Sequence, residues 1–221
     1  SVFSTELIIL SGQRPLRRGG RRAVYAVPGK PELLIKVDTK EHNKKPLPLL
    51  KRVIRWLFPL THHRDKIIEA KCEIATALKL GPKAEESPLP KFFGIAATDL
   101  GSGSVIEKIV DQNGNIATTF YVLCKKGIIT DHLIGLLNEL VGKIYDLHID
   151  CNDIHEGNIV LGYRNGKEAL FLIDGYGDRN IIPLRAWVRI INNNRLDNQC
   201  QKMADSANFV WNKAQRKFSL P

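Results

Sequence analysis

The stretch that decides the fold is Asn152-Asp153-Ile154-His155-Glu156-Gly157-Asn158-Ile159-Val160. It is polar and irregular as far as Asn158 and then becomes apolar and β-branched, which predicts a loop that leads into a strand. In phosphoryl transfer from ATP, an Asp orients the acceptor hydroxyl and an Asn five residues later ligates Mg²⁺. Asp153 and Asn158 have this spacing, although Asp-x-x-x-x-Asn also occurs by chance in many loops.

A second metal ligand is expected downstream of this loop. Apolar runs at 159–163 and 169–173 flank Asn165-Gly166, a pattern that predicts a β-hairpin. The second strand runs into Asp174-Gly175, so the hairpin would bring Asn158 and Asp174 together across neighbouring strands. Hard oxygen ligands of this kind suit Mg²⁺, which also keeps water and phosphate oxygens.

The third piece lies near the N-terminus. Short apolar runs at 7–10, 23–27 and 33–37 predict three strands of a meander, and the last of them carries Lys36. A lysine on a strand can hold the α- and β-phosphates of ATP. A strand lysine, an Asp-x-x-x-x-Asn loop and a strand-end Asp-Gly are each common, but their occurrence in this order is much rarer.

The rest of the chain predicts a mixed α+β protein. Helices are expected at 64–80, ending at Gly81-Pro82, and at 130–147, where apolar residues form a stripe. Further strands are expected at 91–97 and 103–110. The remainder from about residue 184 is predicted to be helical.

Composition limits the possible classes of function. The 221 residues carry a net charge of +10, which favours an anionic partner. No apolar run approaches the roughly 20 residues of a membrane span, and the first residues lack the features of a signal peptide. The four cysteines are widely separated, which favours reduced thiols and a cytoplasmic location.

More than half of the net charge lies in residues 40–66, where eight Lys and Arg face two acidic residues. Within this basic insertion, residues 48–58 are expected to form a helix with an apolar face opposite Lys51, Arg52 and Arg55. Such a helix either packs on the neighbouring sheet or lies in an anionic membrane interface, possibilities that the sequence leaves open. A peripheral location at the inner membrane would follow from the second.

Several stretches resemble the YrbL family of PhoP-regulatory-network proteins, which are short members of the protein-kinase-like group. They lie at residues 15–28, 35–37, 89–94 and 174–177, and at Ile182-Pro183-Leu184-x-x-Trp187. The resemblance implies a bilobal kinase-like fold with an antiparallel N-lobe sheet at 1–109 and a reduced, mainly helical C-lobe at 110–221.

The resemblance also implies roles for individual residues, with ATP and Mg²⁺ as cofactors. Lys36 would anchor phosphates, Asp153 would act in catalysis, and Asn158 and Asp174 would bind the metal. A helix glutamate should pair with Lys36, with Glu73 as first choice and Glu69, one turn earlier, as its competitor. The remaining nucleotide-binding residues would be Gly19, Gly20, Glu107 and Ile109.

The sequence departs from this pattern in two places. Arg17 stands where the phosphate-covering loop usually has a glycine, and Arg17, Arg18, Arg21 and Arg22 would either contact phosphate or form a basic surface loop. Cys151 replaces a histidine of protein kinases at a scaffold position. The short segment between Asp174 and Pro183 favours a small-molecule, sugar or envelope acceptor over a peptide.

Three other hypotheses fit parts of the sequence. The chain could be a nucleotide-binding pseudokinase or a regulatory scaffold, since the family is named for regulation. It could bind nucleic acid through its positive charge, although no recognition motif accompanies that charge. His148, Cys151 and His155 also have spacings that are compatible with zinc.

Overall fold

The computed structural model of the chain describes residues 7–19, 22–38, 64–151, 153–177 and 188–221. These residues belong to two compact units. The first unit contains 7–19, 22–38, 64–70 and 91–108, and the second contains the described residues of 71–90 and 109–221. The predicted helix at 48–58, Gly20 and the element at 182–187 lie outside the described residues. The lobe boundary between 109 and 110 stays a prediction.

The first unit contains a five-stranded antiparallel sheet with the order β1-β2-β3-β5-β4. Its strands are β1 (Arg17–Arg18), β2 (Arg22–Val27), β3 (Lys30–Asp38), β4 (Phe92–Thr98) and β5 (Gly101–Glu107). Alternating apolar residues on these strands form one core cluster. The predicted meander of β2 and β3 is therefore confirmed.

The predicted strand at 7–10 is wrong, because only Ile8 pairs with the sheet, in a single bridge to Thr98. The backbone N–H groups of Leu10 and Ser11 instead donate to the Asp99 carboxylate, at 2.7 and 2.9 Å. A side chain thus takes the donors that a further strand pairing would use.

A long helix, α1 (Arg64–Leu80), follows the predicted bounds and ends at Gly81, whose φ is +54°. A short 3₁₀ helix continues from it as Gly81–Glu86. The buried side chains of α1 include the polar Lys66, Glu69, Glu73 and Thr76. Ile74 and Leu78, by contrast, are 50% and 77% exposed, so the helix does not pack in the way that its apolar residues suggest.

The second unit has its core around α3 (Asp131–Asp146), with α2 (Phe120–Lys125) before it and α4 (Val188–Ala207) after it. Thr130 caps α3, its Oγ1 accepting a hydrogen bond from the Leu133 N–H at 3.3 Å. The α3 stripe Leu133, Leu136, Leu137, Leu140, Val141 and Ile144 is buried, as the sequence predicts.

A three-stranded antiparallel sheet of β6 (Thr118–Thr119), β7 (Ile159–Arg164) and β8 (Lys167–Leu172) completes the site-bearing part of this unit. The β7–β8 hairpin turns at Asn165 and Gly166, which have φ values of +52° and +75°. This is the predicted hairpin. Its first pair, Ile159 with Leu172, fixes the position of the residues on either side of it.

The prediction that the C-terminus is helical throughout is wrong beyond Ala207. A second hairpin, β9 (Val210–Asn212) and β10 (Lys217–Ser219), follows α4. Trp211 and Phe218 are opposite one another in this hairpin with ring centroids 4.7 Å apart, and both are buried in the main core. As directly opposed residues of neighbouring strands, these two rings project to the same side of the hairpin.

Candidate active site

In the second unit, two loops that the sequence singles out are joined through their backbones. The Gly177 N–H donates to the Asp150 carbonyl at 2.7 Å, and the Asp153 N–H donates to the Gly175 carbonyl at 3.2 Å. Between these bonds, Cys151 and Tyr176 form an antiparallel bridge. The loop of residues 150–153 and the segment 174–177 therefore form one piece of structure.

Asn158 and Asp174 are tied to the same piece. The Asn158 Nδ2 donates to the Asp153 carbonyl at 2.9 Å, and its own carbonyl accepts from the Ile173 N–H at 2.8 Å. The Asp174 Oδ1 accepts from the Gly175 N–H at 2.8 Å. Asp153, Asn158 and Asp174, three of the predicted functional residues, therefore lie together, as expected from the hairpin that connects Asn158 to Asp174.

Gly175 is the position that makes this arrangement possible. Its φ of +81° disfavours a side chain, and a Cβ placed there would lie 2.3 Å from the Asp153 carbonyl oxygen and 3.1 Å from the Asn158 Nδ2. Any larger residue would push the Asp153 loop away from the Asp174 segment. The glycine of the Asp-Gly pair is therefore a packing requirement of the site.

The Asp153 carboxylate faces solvent, with 70% of its side chain exposed, and lies 3.8 Å from the Nε2 of His155. The His155 Nδ1 accepts a hydrogen bond from the Gly157 N–H at 3.0 Å. Because a neutral imidazole has one donor and one acceptor, this bond places the His155 proton on Nε2, toward Asp153.

The oxygen atoms that Asn158 and Asp174 offer suit a magnesium ion that is bound mainly by a nucleotide. Since the Asn158 Nδ2 is bonded to Asp153, the amide oxygen is the atom that Asn158 can offer a cation, beside the carboxylate of Asp174. The described ranges contain no cluster of three or more His, Cys, Asp or Glu suited to a metal. A Mg²⁺ that takes its other ligands from phosphates and water needs no such cluster.

The zinc hypothesis finds no support in these ranges. Cys151 is buried, and burial raises the pKa of its thiol well above the ordinary value. Zinc needs the thiolate, so this environment opposes metal binding. Cys151 instead belongs to the main core, which agrees with its interpretation as a scaffold residue.

In the first unit, Lys36 is buried on β3 with its Nζ 3.9 Å from the Oε2 of Glu69 on α1. Lys36 thus forms an ion pair with Glu69, the competitor of Glu73. Glu73 is also buried, and its pairing with Lys36 stays a prediction. The other oxygen of Glu69, Oε1, accepts from the Arg22 Nη1 at 2.5 Å.

The sheet face beneath α1 carries a charged network. Arg22 pairs in register with Asp38, and Lys36 pairs with Ser104, which puts these residues on the same face of the sheet. From α1, the Lys66 Nζ reaches the Asp38 Oδ2 at 3.0 Å. It also donates to the carbonyl and Oγ of Ser102, at 2.8 and 3.1 Å. Among the described residues, the Glu69 Oε2 has no hydrogen-bond partner.

The remaining predicted nucleotide-binding residues occupy turns and strand ends. The Gly19 N–H donates to the Arg22 carbonyl at 2.8 Å, which closes the turn into β2, while Gly20 lies outside the described residues. Glu107 ends β5, and its Oε2 accepts from the Lys91 N–H at 3.0 Å.

Ile109 is buried in a small cluster with Ala117, Val160 and Phe171. Its side chain approaches Gly162 so closely that a Cβ there would lie 2.3 Å from it. A packing role accounts for this isoleucine side chain, and its part in nucleotide binding stays a prediction.

Sequence reasoning missed two residues that shape the site. The sequence predicts Arg22 to be a phosphate ligand or a surface residue, like the neighbouring arginines, but its guanidinium pairs with buried Glu69. Gln199 of α4 accepts from the Ile154 N–H at 2.6 Å and donates to the Cys151 carbonyl at 3.4 Å. No local pattern marks a glutamine that binds a distant loop backbone.

Comparison with known proteins identifies the family. Residues 8–208 match the family described as PhoP regulatory network protein YrbL. Uncharacterised YrbL proteins of Escherichia coli K12 and Shigella flexneri are each 26% identical over 190 residues, covering 82% of this chain and 79% of theirs. The resemblance noted in the sequence is therefore confirmed.

Among solved structures, two variants of the Mycobacterium tuberculosis PknI kinase domain are similar to this chain. Both superpose with a TM-score of 0.49 and cover 86% of this chain, at 14% and 13% identity. They cover 71% and 70% of the kinase domains. Independently of that superposition, the described elements are helices and antiparallel sheets, and the predicted α+β class is confirmed.

Proposed function

The chain belongs to the YrbL family of PhoP regulatory network proteins, and we propose that it is an ATP- and Mg²⁺-dependent phosphotransferase that acts on a hydroxyl acceptor. The observation that carries the proposal is the joining of Asp153, Asn158 and Asp174 around Gly175. A catalytic carboxylate and two metal ligands fixed within one backbone frame are what phosphoryl transfer requires of a protein.

Each residue has a distinct part in the proposed reaction. Asp153 orients the acceptor hydroxyl and accepts its proton as the oxygen attacks the γ-phosphorus and the β–γ bridging bond breaks. Asn158 and Asp174 hold the metal, which neutralises charge on the phosphates when it is bound. Lys36, kept in place by Glu69, would hold the α- and β-phosphates.

Nucleotide binding without transfer, as in a pseudokinase or a regulatory scaffold, is the alternative. Asp153, Asn158 and Asp174 are all present and are joined in one backbone frame, which favours transfer. Nucleic-acid binding receives no comparable support from the site.

Mg·ATP should raise the melting temperature of the wild-type chain. A ligand at about 100 times its Kd adds roughly 2.7 kcal/mol, which at this size corresponds to about 5–10 °C. Asp174→Ala should remove the Mg²⁺-dependent part of that shift, whereas Asp205→Ala, an exposed carboxylate on α4, should retain it. A chain that no nucleotide stabilises would contradict the proposal.

Turnover separates the enzyme from the pseudokinase. Hydrolysis of ATP or autophosphorylation, detected by mass spectrometry, should occur in the wild type and be lost in Asp174→Ala. A melting shift without any transfer would support the pseudokinase.

The compartment and the acceptor class are part of the proposal. All four cysteines are free thiols, which supports a reducing cytoplasmic location. None of the described helices is long and apolar enough to cross a membrane. The short segment after Asp174 supports a small-molecule, sugar or envelope acceptor over a peptide.

A further inference from the structure

A groove of about 830 Å³ lies between residues 153–156 and one face of α4. The α4 residues that line it include Arg195, Asn198 and Lys202, which recur at intervals of three and four and therefore share one helix face. Asp153 lies in the opposite wall. An acceptor whose hydroxyl contacts Asp153 would therefore occupy this groove.

The groove has fixed walls. Gln199 bonds to the loop backbone at Ile154 and Cys151, and the Ser206 Oγ donates to the Glu156 Oε1 at 3.2 Å. The opposite side of α4 is anchored in the main core through Leu196 and Cys200. The helix face is consequently held at a defined position relative to Asp153.

Nine of the eleven described residues that line the groove have polar or charged side chains. The two apolar residues of the lining, Ile154 and Met203, are only 4% and 2% exposed. No aromatic residue contributes to this groove as the described residues form it. The exposed Asn194 and Asn198 instead supply amide donors and acceptors, which suit the hydroxyls of a sugar or polyol.

Two exposed cations accompany these amides. Arg195 and Lys202 are seven residues apart, about 10 Å along the helix. The Lys202 ammonium makes no hydrogen bond or ion pair to any other residue that the structure describes. Cations placed in this way bind carboxylate or phosphate oxygens through charge-assisted hydrogen bonds.

We propose that this groove is the acceptor site and that it takes a sugar or polyol bearing an acid group, either a phosphate or a carboxylate. The α4 cations hold the acid group, the amides hold hydroxyls, and the reacting hydroxyl is directed at Asp153. The assignment of the groove to the acceptor rests on the proposed phosphotransfer, whereas its ligand chemistry rests on the lining.

Met203 provides a direct reporter of groove occupancy, because it is the only methionine in the sequence. Protein labelled with ¹³C at the methionine methyl can be titrated with glucose 6-phosphate, glucuronate, glucose and inorganic phosphate, with Met203→Leu assigning the signal. Glucose 6-phosphate or glucuronate should shift the resonance saturably, at least about tenfold more tightly than glucose, as one charge-assisted hydrogen bond would give. The acid sugar that binds more tightly distinguishes phosphate from carboxylate.

Single substitutions locate the binding on α4. Lys202→Gln and Arg195→Gln should each weaken acid-sugar binding by about tenfold. Lys217→Gln, which removes an exposed lysine from β10, should leave it unchanged. The proposal is overturned if neither acid sugar shifts Met203, if glucose or phosphate alone binds as tightly, or if Lys202→Gln and Lys217→Gln behave alike.

This titration needs neither ATP nor turnover. If the chain binds an acid sugar but Mg·ATP does not raise its melting temperature, the ligand chemistry of the groove is supported and the proposed phosphotransferase activity is rejected. If Mg·ATP stabilises the chain but no acid sugar shifts the Met203 methyl resonance, only the acceptor proposal is rejected.

Discussion

Asp153 is held through its backbone, which leaves its side chain to act on an acceptor. Its N–H and carbonyl bond to Gly175 and Asn158, respectively, while its carboxylate is 70% exposed. Changes to the carboxylate and changes to the backbone frame should therefore have different effects.

Asp153→Asn should lower the turnover of ATP by about 10²–10⁴-fold, the usual contribution of a positioned base. The amide keeps the shape of the side chain, so the Kd for Mg·ATP measured by calorimetry should stay essentially unchanged. Asp205→Asn provides the matched exposed control. Equal losses of binding and turnover would show that Asp153 is structural.

Gly175→Ala should damage the frame itself. A positive φ costs an alanine about 1–2 kcal/mol, and the contact with the Asp153 carbonyl should add about 1–3 kcal/mol in the free energy of unfolding. Gly114→Ala is the matched control, because its φ is +80° and no atom lies within 4 Å of its Cβ. Chemical denaturation measures both, and equal costs would contradict the role given to Gly175.

At the scale of elements, α1 illustrates what sequence periodicity cannot reveal. Its bounds could be predicted because Gly81 stops the helix, but its buried side could not, since buried Lys66 and Glu69 look like solvated residues in a sequence. Their partners Asp38 and Arg22 come from distant strands, and only the sheet register brings them together. Because α1 contacts the sheet through ion pairs, its sequence has no apolar stripe from which the buried side could be predicted.

Arg22→Gln tests whether these ion pairs hold α1 on the sheet. The variant removes a hydrogen bond between charged groups and leaves Lys36 as the cation beside buried Glu69 among the described residues. The cost should be about 1.5–3 kcal/mol in the free energy of unfolding. Because Glu69 then holds Lys36 less firmly, the affinity for Mg·ATP should also fall. Denaturation and calorimetry measure the two effects.

Arg22→Lys should restore part of both quantities, since the charge is kept while the planar hydrogen-bonding geometry is lost. Arg14→Gln, on an exposed arginine of the same unit, should change neither. Tighter nucleotide binding in Arg22→Gln would contradict positioning and show that Arg22 competes with Lys36 for Glu69.

The two hairpins of the second unit show where turn chemistry helps a prediction. The turn of β7–β8 contains Asn165-Gly166, a recognised signal, and its prediction is confirmed. The C-terminal hairpin has no glycine in the residues that reverse the chain, and Asn208 and Arg216 take φ values of +57° and +53°. A left-handed arginine has no sequence signature, so the run from Phe209 to Phe218 resembles an amphipathic helix.

At the scale of the whole molecule, the net charge of +10 is distributed unevenly, and residues 40–66 hold more than half of it. Lys66, the last residue of that segment, is already used within the protein, since it is buried against Asp38. The other basic residues of this segment belong to the basic insertion, which lies outside the described residues apart from its last three positions. Membrane binding by residues 44–58 thus stays a proposal that rests on sequence.

Sedimentation with vesicles should show binding to anionic but not to neutral lipid, and this binding should weaken as salt is added. Each Lys or Arg near an anionic surface contributes about 1 kcal/mol, so Lys51→Glu/Arg55→Glu should abolish the association. Lys83→Glu/Lys217→Glu changes the net charge equally at two exposed positions of the second unit and should retain it. Such a result would attribute attraction to the insertion and not to net charge.

The opposite outcome has an equally definite meaning, because an amphipathic helix can use its apolar face only once. If residues 48–58 pack on the protein, no vesicle should sediment the chain, and Trp56→Ser or Leu57→Ser should lower the melting temperature. If the face instead inserts into lipid, those substitutions should weaken vesicle binding and leave the melting temperature of the lipid-free chain unchanged. The two measurements on the same variants therefore decide whether the insertion stabilises the fold or brings the active site to a membrane-bound acceptor.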